Sequence, residues 1–252
     1  MNLIKDFLLV NKSTMKKSVK SFKKNWILVF TGLIYTILNI LLLMVLNTFF
    51  RGPLYILVGF IMAIVSSSLI SNYLYLLSNI INYDRITMEN FKEGFKYYLW
   101  KIYGVFFIAW IVDYLLSMIS GIVGASGYLL NSLIKIIILI ALNPLPETIY
   151  QKYYSSFESI QYAFNFMKEN WFNWLLPNII LYLFLYLITG KVITDLFTTH
   201  LSFGLSLSFK ELLKYILGQV LFSFIMIYRG HLFKLLSTST RRKRMYTNKF
   251  YD

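Results

Sequence analysis

The chain contains no cysteine. Disulfides, thiolate metal sites and cysteine nucleophiles are therefore excluded. Charge is also scarce. Asp, Glu, Lys and Arg make up 14% of the 252 residues, against roughly 25% in ordinary soluble domains. Little of that charge is acidic: 11 carboxylates face 25 Lys and Arg, for a net charge of +14. Histidine occurs only as His200 and His231, and neither has an acid or a second histidine three or four positions away. No helical metal site is written there. H-E-x-x-H, G-x-S-x-G and phosphate-binding glycine loops are missing too, so hydrolysis by those motifs is not expected. No cofactor is expected either.

What is present is apolar. Hydrophobic residues make up 58% of the chain, and the mean hydropathy is +0.61. So few charges cannot cover so much apolar surface in water, and the chain reads as a polytopic membrane protein. Heavy use of Lys, Ile, Asn, Phe and Tyr suits an AT-rich bacterial genome. The opening MNLIKDFLLVNKSTMKK mixes charge with apolar residues, and no A-x-A-like site follows the first long apolar run. That run is expected to remain as an uncleaved anchor.

The fold class expected is all-α, with six transmembrane helices. The spans are Ile27 to Phe50, Leu54 to about Ile81, about Ile102 to Ile122, about Gly127 to Leu145, about Phe172 to Ile188, and about Leu212 to Phe233. Each approaches the roughly 20 apolar residues that a bilayer requires. Arg51-Gly52-Pro53 reads as a tight turn, because proline cannot continue the helical ladder. The last span has a short apolar core, Tyr215 to Tyr228, and Lys214 and Arg229 near its ends would have to snorkel. Val192 to Phe209 is apolar enough to be re-entrant, interfacial or part of a span.

Basic residues give the orientation. With both chain ends inside, 20 Lys and Arg fall on the cytoplasmic side and 5 on the other. That asymmetry predicts a multi-pass protein of the bacterial cytoplasmic membrane with both termini cytoplasmic.

Amphipathic segments precede spans one, three and five. Met15, Val19, Phe22 and Trp26 form the first stripe, and Phe91, Phe95, Tyr98 and Ile102 the second, after a helix cap at Thr87. Phe157, Ile160, Phe164, Met167, Trp171 and Trp174 form the third. Each is expected to lie in the membrane interface, with Trp26, Trp171 and Trp174 as ring anchors. Pro177 would mark a bend between the third such helix and its span. The chain then reads as one membrane domain, 1–236, built from three helix–span–span units at about 13–81, 87–145 and 155–236. A basic tail follows at 237–252. Lys16, Lys20 and Lys23, with Arg241, Arg242, Lys243 and Arg244, are expected to meet anionic lipid headgroups. Their place beside the membrane argues for lipid and against nucleic acid.

The carriers FKKNW (Phe22 to Trp26), FKEGFKYY (Phe91 to Tyr98) and ESIQYAFNFMKENW (Glu158 to Trp171) give this layout a resemblance. It is similar to uncharacterised six-pass families of low-GC Gram-positive bacteria. It also resembles the membrane domain that precedes some glycerophosphodiester phosphodiesterases. The resemblance implies six helices and a cytoplasmic-membrane location, and no activity. The chain in hand holds no phosphodiesterase domain, so that chemistry does not carry over.

Asp113, near the centre of the third span, and Lys135, in the fourth, are the intramembrane charges that invite a role. Such groups usually face a bundle interior or a wet cavity. An ion relay, a substrate counter-charge and a structural pair are all open, with Asp113 read as the deeper of the two. Ser132-Leu-Ile-Lys135 matches the S-x-x-K of serine–lysine hydrolases, but so does Ser13-Thr-Met-Lys16 on a basic helix. Asn143-Pro-Leu-Pro-Glu147 reads as a helix stop with Glu147 as a solvated charge. Glu158, Leu176 and Pro177 match the spacing of the E-A-A loop by which ABC importer permeases dock their ATPase; Phe164 stands where that loop has its glycine. The functional expectation is a non-enzymatic accessory, scaffold or transport-related component. A transporter or permease subunit with a separate ATPase or other membrane subunit is the first alternative, and an intramembrane enzyme the second.

Overall fold

Every described element is helical, and six helices are long and apolar enough to cross a membrane. The protein is therefore all-α and polytopic. The computed structural model describes residues 3–50, 56–202 and 208–248. The expected turn at Arg51 to Pro53 lies outside the described residues, as does part of Val192 to Phe209. In chain order the helices are α1 (Leu3–Lys24), α2 (Thr31–Phe49), α3 (Ile56–Tyr83), α4 (Met88–Tyr97), α5 (Leu99–Val123), α6 (Ala125–Ala141), α7 (Leu145–Gln151), α8 (Ser156–Thr189), α9 (Phe209–Thr238) and α10 (Arg241–Asn248). A 3-10 turn over Trp26–Phe30 leads into α2.

Helix α9 is the hub. Half of its span is buried inside the protein, against 11 to 33% for the other five. This explains its polar content. Gln219, Ser223, Arg229 and His231 are all buried against protein, so they never face lipid. The short apolar core and Arg229 thus mark a central span, and Arg229 does not snorkel; Lys214 stays partly exposed beside Glu211.

The end of the bundle that carries α1 and α10 is tightly packed. Tyr73, Leu76 and Ile80 of α3 share a core with Ile102 of α5, Ile149 of α7, and Phe222 and Ile225 of α9. Helix α4 folds back along α3. The Ser71 hydroxyl donates to the Gly94 carbonyl (2.6 Å), and the Asn72 amide to that of Phe91. Glycine at 94 permits this close approach, because a Cβ there would lie 3.0 Å from the Asn72 Cα and the two helices would have to ease apart. At the far end, where the Ser120 hydroxyl donates to the Gly127 carbonyl and holds α5 to α6, the spans present apolar faces outward. Leu38, Leu41, Leu43 and Met44 point around α2 and are all exposed, as are Trp110, Val112, Tyr114 and Leu115 around α5.

The three amphipathic stripes meet the bundle differently. On α1, Met15 and Val19 face outward, while Asp6, Val10, Thr14, Ser18 and Ser21 are buried. Small polar side chains therefore pack this helix against the bundle, antiparallel to the second half of α9: Phe22 meets Phe224, and Val10 joins Leu232 and Leu236. The second stripe faces inward, with Ile102 buried and Phe91, Phe95 and Tyr98 packed on the core. The third splits in two. Phe157, Phe164 and Trp171 are exposed; Ile160, Met167 and Trp174, offset by three residues, turn inward. The expected bend at Pro177 is not found as a helix break, since α8 runs unbroken from Ser156 to Thr189 with Pro177 inside it. Its buried face continues through Trp174, Pro177 and Asn178, so the helix packs on the bundle on both sides of the missing N–H.

Local chemistry fixes the helix starts. Thr87 caps α4 in a capping box with Asn90, and Ser155 caps α8 with Glu158. Gly124, at φ +75°, makes the tight α5–α6 turn, where most side chains would be strained.

Candidate functional site

Asp113 on α5 and Lys135 on α6 each stand eleven residues from Gly124. The hairpin brings them to one level, and their charged atoms lie 2.6 Å apart. Eleven residues of helix rise ~16 Å, about half of a ~30 Å hydrocarbon core. Asp113 is therefore no deeper than Lys135: the reading of unequal depth is corrected by the position of the turn. Both side chains remain half exposed, at 56% and 53%. They face a cavity of about 830 Å³ that Ser66 and Leu69 of α3, Phe106 of α5, and Leu139 of α6 also line.

One wall of the cavity is an irregular segment, 190–202. It leaves α8 at Gly190, which is left-handed at φ +65°. The Lys191 amine donates to the Ser202 carbonyl and closes the base of the loop. Phe197 packs edge-on against Phe106, and His200 sits beside Tyr35. The Leu201 N–H donates to the Gln219 side-chain oxygen at 3.1 Å. The described part of this segment enters the bundle, and the buried amide of α9 satisfies backbone that lipid could not.

Below the tip of this segment lies a group that local sequence reading placed wrongly. Glu147 is not solvated; it is 2% exposed and paired with Arg229, itself 3% exposed. Arg229 Nε and Nη2 donate to the two Glu147 oxygens at 2.7 and 2.9 Å. The remaining N–H groups go to the Asn143 side-chain oxygen (3.1 Å), the Asn143 carbonyl (2.8 Å) and the Tyr182 hydroxyl (3.2 Å). The paired prolines of Asn143-Pro-Leu-Pro-Glu147 end α6 and start α7, and so turn both Asn143 and Glu147 toward α9. Trp174 completes the node. Its indole N–H donates to Asn143 at 2.9 Å, and its ring lies 5.0 Å from the guanidinium carbon. At 0% exposure Trp174 is no interfacial anchor. Trp26 and Trp171 are exposed, as anchors need to be.

The tail brings a second correction. Arg244 does not reach for headgroups, because its guanidinium clamps the buried Asp6 carboxylate at 2.9 and 2.8 Å. Burial alone would raise the Asp6 carboxyl. The hydrogen bonds and charge of Arg244, with Asn173 and Arg241, outweigh that and hold it below the ordinary carboxylate range. Lys16, Lys20, Lys23, Arg242 and Lys243 are exposed, and Arg241 is partly so.

Two motif matches lose their geometry. The Ser132 hydroxyl donates to the Tyr128 carbonyl at 3.0 Å, and Lys135 is committed to Asp113. No serine–lysine couple is assembled there. Helix α8 passes straight through Phe164, so the turn of an E-A-A loop is not formed. His231 meets Ser21 at 3.0 Å and His200 meets Thr199 at 2.9 Å. Among the described residues, no three His, Asp or Glu side chains group as a metal site.

No family model, curated protein or solved structure matches the chain.

Proposed function

We propose that the protein is a non-enzymatic, transport-related component of the bacterial cytoplasmic membrane that admits a solute to the Asp113–Lys135 cavity. The observation that carries this reading is the half-exposed ion pair at mid-span, facing an open volume of about 830 Å³. A pair serving only to hold α5 to α6 has no need of a cavity beside it. Volumes of ~300–1,000 Å³ with a few convergent polar groups are typical of ligand sites. The exposed apolar face of α1, flanked by Lys16, Lys20 and Lys23, supports a helix resting on the anionic inner leaflet.

The test is comparative retention. Wild-type and Asp113→Asn protein, extracted from their host in mild detergent, are analysed by mass spectrometry for bound small molecules and accompanying proteins. A species held by wild type and depleted in the variant is expected. Identical profiles would overturn the reading. Any ATPase or second membrane subunit would appear in the same experiment.

A further inference from the structure

Asp113, Lys135 and, on the 190–202 segment, Asp195 are the charged residues of the lining, and the Asp113–Lys135 pair defines what the cavity can accept at mid-span. Asp113 and Lys135 neutralise each other at 2.6 Å, yet each keeps about half of its side chain open. A ligand with a single charge could engage one partner only by leaving the other unpaired at mid-span, which is costly in lipid. A neutral ligand has no means of competing with the existing pair. A ligand that carries an ammonium beside an anionic group can exchange with both partners at once. Its cation goes to Asp113 and its anion to Lys135, so the count of paired charges is kept.

The size and lining of the cavity add a second condition. Val105, Ile108, Val112 and Leu116 of α5, Ile138 of α6 and Leu142 just after it make most of the wall beside the pair apolar. A volume of about 830 Å³ exceeds what a small zwitterionic group fills. The rest is suited to hydrocarbon. The outer faces of α2, α5 and α6 beside it are apolar and exposed, so lipid reaches the helices that line it.

We propose that this cavity binds a zwitterionic amphiphile: an ammonium and an anion close together on an apolar body. This deepens the ligand-site reading and rests on it. Two sources share the chemistry, an aminophospholipid and a free hydrophobic amino acid. In either case the apolar part lies along α5 and α6 while the head exchanges with the ion pair.

The experiment uses full-length protein in nanodiscs of equal phosphatidylethanolamine and phosphatidylglycerol with matched acyl chains. One sample carries p-benzoylphenylalanine in place of Ile138, which lines the cavity, and another in place of Ile137, which is exposed and outside it. Crosslinking at 138 is expected to favour the zwitterionic lipid over the anionic one by roughly tenfold relative to 137, equal to about 1.4 kcal/mol. Asp113→Asn with Lys135→Gln should bring the ratio at 138 to that at 137. Radiolabelled leucine is the second probe. Its saturable binding, abolished by the double substitution and with no lipid preference at 138, would support the proposal with a soluble source. Enrichment of the anionic lipid at 138, dependent on Lys135 alone, would overturn the ligand class and leave the cavity as a ligand site. Equal crosslinking at 138 and 137 with no leucine binding would overturn the zwitterionic ligand; a different species retained by wild type and lost in Asp113→Asn would still keep the cavity as a ligand site. The wild-type comparison of the two sites stands even if the double variant fails to fold.

Discussion

Arg229 and Glu147, 82 positions apart in sequence, meet in a two-point ion pair in which every guanidinium N–H has an acceptor. Such a buried pair is not by itself a large source of stability, but breaking it strands a charge. Arg229→Met or Glu147→Leu alone should cost about 3–5 kcal/mol. The two together should recover much of that loss. Unfolding of purified protein in mixed detergent micelles measures both, and equal losses in single and double variants would refute the coupling.

Gly230 and Gly59 make an opposed pair. A Cβ at 230 would sit 2.6 Å from the Tyr150 hydroxyl and 2.8 Å from Ile81. Gly230→Ala should therefore destabilise by about 1–3 kcal/mol through overpacking. At Gly59 nothing lies within 4 Å. Gly59→Ala should cost nothing, and it gains up to about 1 kcal/mol from helix propensity. The same unfolding assay compares them.

Acid should release the tail. The Asp6 carboxyl is held below its ordinary value, with burial opposing and Arg244 prevailing. Its contribution is fully present above the ordinary carboxylate value, and it is lost as pH falls through the lowered one. Limited trypsin digestion at neutral pH should therefore cut Asp6→Asn protein at Arg241 to Arg244 faster than wild type. Recovery of spin-label mobility on the tail, followed from pH 6 downward, should show the wild type loosening only in acid.

The absence of cysteine makes topology directly testable. Single cysteines at Lys16, Ser126 and Arg242, all exposed, are labelled with an impermeant maleimide in intact cells and in inverted vesicles. Lys16→Cys and Arg242→Cys should react only in inverted vesicles, and Ser126→Cys only in cells. Labelling of 16 and 242 from opposite faces would exclude the six-span arrangement.

The spans, the cap at Thr87, and the two mid-membrane charges are legible in the sequence because each is a local pattern. Hydropathy over ~20 residues finds a span, and an isolated Asp or Lys stands out within one. The Arg229 node is not legible in that way. Glu147 lies beside two prolines at the end of an apolar run, where a solvated charge is the ordinary reading. Only its pairing across to α9 reveals it. One signal was available: Arg229 stands inside an apolar run with no acid nearby in sequence, so a buried partner had to come from elsewhere. Trp174 misleads for a related reason. Tryptophan near a span end serves an interface and a core equally well, and the three-residue offset from Trp171 decides which face it joins. The stripe on α1 shows the same limit. Its apolar side faces out, and its small polar side makes the contact, because close approach to α9 requires small side chains.

The central place of α9 has a consequence for assembly. Helix α9 packs against the spans α3 and α8 and against α1 and α7, and the ribosome makes it after all of them. At ~5–20 residues per second, those spans spend several seconds in the membrane before their common neighbour arrives. During that interval Glu147 has no Arg229, and the buried faces of α3 and α8 have no partner. Whatever holds the growing chain in that interval, lipid or insertion machinery, must shelter an unpaired acid until the last span closes around it.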